Sequence, residues 1–196
     1  RSLPGLRGTD GQEYLNQRGI FTLPKNGIRY NPKEGNYQSL YSIATDDSYR
    51  PAYLHRTLLD GSNKANVEAN KKLLTLNECF GSVSIKMFPH QTALGIAEGI
   101  ETALSATQIY KVATWSVLNT SLMKRFKAPP GVEHLIIFAD NDKKGAGHAA
   151  AFECAHKNLV GNNDVTRVTV RWPSEFGDFN DVLTSGYEVY EWGFKK

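Results

Sequence analysis

Four short apolar runs in the second half of the chain limit its fold more than any other feature. They are Ala93-Leu94-Gly95-Ile96-Ala97, Val112 to Leu118, His134-Leu135-Ile136-Ile137-Phe138-Ala139 and Val165 to Val170. Segments with helical periodicity separate them, over Ile100 to Ile109, Leu122 to Phe126 and Gly147 to Leu159. Strands that are apolar on both sides need cover on both sides, and strand–helix alternation supplies it through parallel crossovers. The sequence therefore predicts an α/β fold, a parallel sheet with helices on both faces, with Val165 to Val170 as its last strand.

The first part, to about Phe80, reads differently. Gly, Asn, Tyr and turn residues punctuate it. A short helix is expected near Gly11 to Arg18, where Tyr14, Leu15 and Arg18 share a face. A turn–strand–turn pattern spans Leu23 to Pro32, and a strand runs from Pro51 to Leu58 into the turn Asp60-Gly61-Ser62. This predicts a small α+β unit of short antiparallel strands over residues 1–82, followed by the α/β unit with a C-terminal extension over 83–196.

Acidic residues recur where the apolar runs end. Glu98 follows the first, Asp140 and Asp142 follow the third, and Asp178 and Asp181 follow the fourth. Ligands of open parallel sheets sit outside the carboxyl ends of the strands, and right-handed crossovers bring those ends together. Carboxylates gathered there repel one another unless a cation joins them, and hard oxygen donors select magnesium. Glu98 could instead serve as a general acid or base. A lone Asp after a strand more often caps a helix or forms a turn, which suits Asp178 and Asp181. Capping does not require the doublet in Asp140-Asn141-Asp142, because one carboxylate suffices. Gly145 and Gly147 permit close backbone approach to a phosphate, though such pairs are as common in plain turns.

These segments resemble the Toprim domain. Ala97-Glu98-Gly99-Ile100-Glu101-Thr102-Ala103-Leu104 is similar to its Glu-Gly signature, and Phe138 to Gly147 to its Asp-x-Asp signature. Gly177-Asp178-Phe179-Asn180-Asp181-Val182-Leu183 resembles the third acidic segment of the primase branch. The resemblance spans about residues 83 to 185 and is nearest in wording to primases of phages, plasmids and other mobile elements. Glu13 to Ile20 and Leu54 to Asp60 also resemble the region before Toprim in those proteins. It implies a Toprim-like fold and a primase catalytic core that makes primers on single-stranded DNA from nucleoside triphosphates. It further implies Glu98, Asp140 and Asp142 as catalytic residues, which with Asp178 hold Mg2+, or Mn2+ in its place. A helicase domain or subunit is an implied partner. Two departures stand out: Thr102 occupies the position where bacterial replicative enzymes carry an acidic residue, and Asn180 replaces a second Asp.

Candidate contacts to nucleic acid or nucleotide are Arg56, Lys64, Lys71, Lys72, Lys86 and Lys143, since phosphate contacts supply most sequence-independent affinity. His55 belongs to the same basic stretch. Arg56 is favoured because it lies in an apolar strand, where a bare cation is costly. Solvated surface charge explains any one of these equally well, and a net charge of +3 does not demand a polyanionic partner. Tyr14, Tyr30, Tyr53 and Trp115 are expected in the core rather than as stacking platforms.

Cys79 and Cys154 form no CxxC pair, so neither zinc nor a disulfide framework is expected. No apolar run reaches the roughly 20 residues that cross a bilayer, and the cytoplasm is the expected compartment. The start, Arg1 to Gly5, lacks a signal-peptide stretch and an initiating Met, which suggests an excised piece of a longer protein. The competing readings are a Toprim nuclease, a non-catalytic nucleic-acid-binding Toprim module, and a phosphotransfer domain with a phosphorylated Asp. The Glu-Gly segment weighs against the last.

Overall fold

The computed structural model describes residues 2–79 and 81–196; Arg1 and Phe80 lie outside the described residues. Helix α1 (Asp10–Gln17) starts where the Thr9 side chain accepts from the Gln12 amide, and it buries Tyr14 and Leu15. Five antiparallel strands follow: β1 (Ile28–Glu34), β2 (Tyr37–Thr45), β3 (Pro51–Asp60), β4 (Asn63–Lys64) and β5 (Lys71–Thr75). They are ordered β1-β2-β3-β4, with β5 paired to β3. The turn expected at Asp60-Gly61-Ser62 joins β3 to β4, and Gly61 adopts the positive φ it requires. Lys86 lies just beyond the isolated bridges at Ser84 and Ile85 and belongs to no strand.

The second half forms β6 (Ala93–Ala97), α2 (Ile100–Tyr110), β7 (Thr114–Ser116), α3 (Thr120–Met123), β8 (His134–Phe138), α4 (Ala146–Val160), β9 (Arg167–Pro173), α5 (Phe179–Ser185) and β10 (Val189–Lys195). The sheet order is β10-β9-β8-β6-β7. Its three pairings among β9, β8, β6 and β7 run parallel as expected, and β10 adds an antiparallel edge. Val165 to Val170 was therefore not the last strand. β7 is shorter than its apolar run, because Leu118 turns to a φ of 72°.

Alternation along the buried strands separates two cores. Leu94, Ile96, Leu135, Ile137, Val168 and Val170 pack toward Ala150, Ala151 and Cys154 of α4. Ile136 and Phe138 face the other way, against Ala103 and Leu104 of α2 and Phe179 of α5. That second core continues into the N-terminal half through Tyr14, Ile28, Tyr30 and Leu40, so both sheets clasp α2. Gly95 is required in β6: a Cβ there would lie 2.8 Å from the Phe138 ring.

Candidate active site

Because β6, β8 and β9 are adjacent and parallel, the segments that leave their carboxyl ends emerge side by side. Glu98 follows β6 directly. Its carbonyl accepts from Ser116 Oγ at 2.7 Å and Leu118 N at 2.9 Å, which fixes the backbone and leaves the carboxylate facing the cleft. Burial, and then the charge of Asp142, hold that carboxyl above its ordinary range, while Lys71 opposes them.

Asp140 follows β8 and faces the same cleft. Its Oδ1 is buried without a hydrogen-bond partner. Burial raises its pKa to about 7, with help from the charges of Asp178, Glu98, Asp142 and Asp181. Gly147, in the first turn of α4, lies so close to the Asp140 backbone that any side chain would overlap its carbonyl.

Asp142 is engaged differently. Its Oδ1 accepts from Lys144 N at 2.9 Å and Ala146 N at 3.2 Å, and its Oδ2 accepts from Gly147 N at 2.8 Å. Those amides, Gly147's first, hold it below the usual carboxylate range. It fastens the start of α4, close enough for its charge to raise the Glu98 and Asp140 carboxyls.

Asp178 caps α5, accepting from Asn180 N at 2.6 Å and Asp181 N at 3.3 Å. Asp181 answers by accepting from Asp178 N at 2.9 Å, which completes a capping box. The capping role expected of both residues is thus present, but Asp178 also lines the cleft, where Thr102 Oγ1 donates to its Oδ2 at 3.3 Å.

The opposite wall is cationic. The cleft, of about 310 Å³, is closed on that side by Arg18, His55, Lys64 and Lys71. Glu101 joins the walls from within. Its buried carboxylate accepts from Tyr14 Oη at 2.8 Å and pairs with Lys71 at 3.3 Å and Lys64 at 3.9 Å. Burial opposes its ionisation, yet the nearby Lys71 charge leads the effects that bring its pKa down to about 2. The same burial, with the Glu101 charge, drives the Tyr14 phenol upward. His55 is lowered to about 4 by burial and by Lys71, so it is neutral at pH 7.

Among the sequence candidates, Glu98, Asp140, Asp178, Lys64 and Lys71 meet at this cleft, and four cations do not. Arg56 points from the opposite face of β3, bound to Glu34 at 3.1 Å and to the Ala69 carbonyl at 2.8 Å. Its charge is compensated inside the N-terminal sheet. Lys72 stands opposite Arg56 in the strand register. Lys86 binds the Asp46 carbonyl and Thr45 Oγ1 and lies 4.2 Å from the Tyr49 ring centroid. Lys143 is exposed beside the acidic loop, 6.0 Å from the Phe176 ring centroid. Arg18 was missed. Its helical spacing from Tyr14 was visible, but the seam to which that face turns was not.

An orphaned, buried carboxylate oxygen among repelling carboxylates fits a hard divalent cation. Among the described residues, no three His, Cys, Asp or Glu side chains are gathered into a closed metal-binding set.

Residues 93–188 match the Toprim domain family. Residues 1–81 match a family described as a domain of unknown function, DUF7146. A search of the curated proteins finds no match. Among solved structures, the chain is similar to the primase fragment of the bacteriophage T7 primase-helicase protein. That match has 17% identity and a TM-score of 0.56, and covers 92% of this chain and 67% of that one. It is similar to a DNA primase domain from Pseudomonas aeruginosa, at 13% identity and a TM-score of 0.57, over 93% and 71%. It is also similar to a DnaG primase catalytic domain bound to single-stranded DNA, at 13% identity and a TM-score of 0.59, over 94% and 73%. At these identities the likeness is one of fold. The chain has the fold of primase catalytic cores, and its residues 93–188 match the Toprim domain family.

Proposed function

We propose that this chain is a DNA primase catalytic core of the phage, plasmid or mobile-element type, joining nucleotides into primers on a single-stranded DNA template. One observation carries the reading: Glu98, Asp140 and Asp178 face Arg18, Lys64 and Lys71 across a single cleft. An acidic wall suits metal-assisted nucleotidyl transfer, and a cationic wall suits the phosphates of a nucleoside triphosphate. Glu98, Asp140, Asp142 and Asp178 would hold Mg2+, with Mn2+ as a substitute. Bound there, the ion supplies charge neutralisation for the phosphates and a more acidic primer 3′-hydroxyl. Lys71 and Lys64, oriented by Glu101, present ammonium groups to the phosphates, while neutral His55 offers a hydrogen bond without further charge. Arg18 extends the cationic wall from the end of α1.

The resemblance to the T7 primase-helicase fragment supports a helicase domain or subunit as partner, and that to the DNA-bound DnaG domain supports a single-stranded template. Residues 1–82 and 83–196 would act as the two halves of this core. No helix among the described residues is long and apolar enough to cross a membrane, and the proposed reaction belongs in the cytoplasm.

The test is incubation with single-stranded DNA, labelled nucleoside triphosphates and magnesium or manganese, reading both new oligomers and template cleavage. Primer products should appear, and Asp140→Ala should reduce them about 100-fold or more, as loss of a central electrostatic group does. Template cleavage without synthesis would transfer the site to a nuclease. Binding with neither product would make the chain a nucleic-acid-binding module.

A further inference from the structure

The edge strand β10, Val189-Tyr190-Glu191-Trp192-Gly193-Phe194-Lys195, takes no part in the cleft. It pairs with β9 in unbroken register from Val189 opposite Pro173 to Lys195 opposite Arg167. It contains no proline and no bulge, two common means of blunting an edge. The Glu188 carbonyl and the Lys196 amide bond toward β9. By antiparallel alternation, the backbone groups of Tyr190, Trp192 and Phe194 do the same. Those of Glu191, Gly193 and Lys195 point outward, where no strand among the described residues pairs with them.

The side chains divide in the same way. Tyr190, Trp192 and Phe194 line one face, with Trp192 61% and Tyr190 53% exposed. The Trp192 and Phe194 rings stack at 6.0 Å and an interplanar angle of 6°. Glu191, Gly193 and Lys195 occupy the other face, where nothing lies within 4 Å of a Cβ built on Gly193.

Only even register offsets let two outward-facing edges of this strand exchange hydrogen bonds. A two-fold axis at Glu191 sets like charges opposite each other. An axis at Trp192 sets Glu191 against Gly193, and an axis at Phe194 sets Lys195 against Gly193. An axis at Gly193 sets Glu191 opposite Lys195 twice, Trp192 opposite Phe194 twice, and the two glycines opposite each other at the centre. Unlike charges and aromatic pairs directly opposite each other stabilise antiparallel pairing.

We propose that β10 is a homodimer interface, pairing antiparallel with β10 of a second copy about a two-fold axis at Gly193. The two five-stranded sheets then form one continuous sheet, with the four Trp192 and Phe194 rings gathered around the axis on one face of that sheet. A pairing in which Glu191 to Lys195 of each chain face one another lies at the small end of specific interfaces, so the dimer is weak, dissociating at roughly micromolar concentration or above.

Sedimentation equilibrium of the chain tests this. The mass should rise with concentration from 21.8 kDa toward twice that value. The Lys195→Glu variant, with an exposed substitution site, should keep its wild-type melting temperature and remain monomeric. Amide hydrogen exchange reads the interface directly. The Glu191, Gly193 and Lys195 amides should gain protection as concentration rises, while those of Tyr190, Trp192 and Phe194 stay protected throughout. A chain that stays monomeric at its highest soluble concentration overturns the proposal. So does a Lys195→Glu variant that dimerises like wild type, or a dimer whose outward amides exchange freely. A monomer whose tryptophan emission is quenched by oligothymidylate would also overturn it, by assigning the aromatic face to nucleic acid.

Discussion

Asp140 keeps one buried oxygen without a partner, while Asp142, two residues on, gives both of its oxygens to backbone amides. Substitutions at the two should therefore move stability in opposite directions. Folding raises the Asp140 pKa from 3.8 to about 7, so its ionised form burdens the native state. That burden is absent below about pH 4, where folded and unfolded forms are both protonated, grows as pH rises, and is complete above about 7. With divalent cations chelated, Asp140→Asn should stabilise the chain by about 2 kcal/mol at pH 8 and by nothing at pH 3.5. This allows for partial solvation of a shift worth about 1.4 kcal/mol per unit. Asp142→Ala should destabilise the chain by leaving the first amides of α4 unpaired. Urea titration of both variants checks the signs, and two losses would refute this account of Asp140.

At the scale of elements, the acidic turns were legible because three strand ends carry acids in a fixed order. Their secondary duties were not. A carboxylate that caps a helix and one that faces a ligand look alike in sequence, and Asp178 does both. α5 escaped notice because seven residues offer too few turns for a periodic signal, and β10 because its charges and glycine interrupt the apolar alternation. Among the cations, the preference for Arg56 over Lys71 rested on its apolar strand alone, without the register. Pairing places Arg56 opposite Lys72 on one face and sends Lys71 to the other, and one residue of slip would exchange them. Gly147 carries a sharper lesson, since its spacing from Asp140 looks like an ordinary turn, yet α4 rests directly on the Asp140 backbone there. Gly147→Ala should cost about 1–3 kcal/mol, the usual range for forced overpacking. It should also reduce primer synthesis by displacing Asp140, and Gly145→Ala assayed alongside would reveal whether loop strain alone has that effect.

Across the whole molecule, the two sheets meet along a seam of mixed charge. Glu101 of α2 holds Lys64 and Lys71 of the N-terminal sheet. Removing it strands two cations beside a buried phenol, and Glu101→Ala should destabilise the chain by about 3 kcal/mol, as broken buried pairs do. Two half-buried histidines add a pH dependence. Arg167 donates to His134 Nδ1 at 2.8 Å, and Nε2 lies 2.9 Å from Thr169 Oγ1, which fixes a neutral ring. His55 and His134 both fold with pKa values of about 4 against 6.5 unfolded. Their contribution is complete above about pH 6.5 and is lost as pH falls toward 4, because the unfolded chain binds the extra protons. The urea midpoint should fall across that window, and replacing both histidines with asparagine should flatten the slope. Asn180 ties the seam at its far end, donating to the Arg18 carbonyl at 2.8 Å and to Ser105 Oγ at 3.2 Å. The Asn180–Arg18 contact spans 162 positions of sequence. During synthesis, α1 therefore waits for those 162 positions to leave the ribosome before its end is secured. Asp178 emerges in the same late stretch, so a nascent chain gains its last acidic group and its fastened cationic wall together.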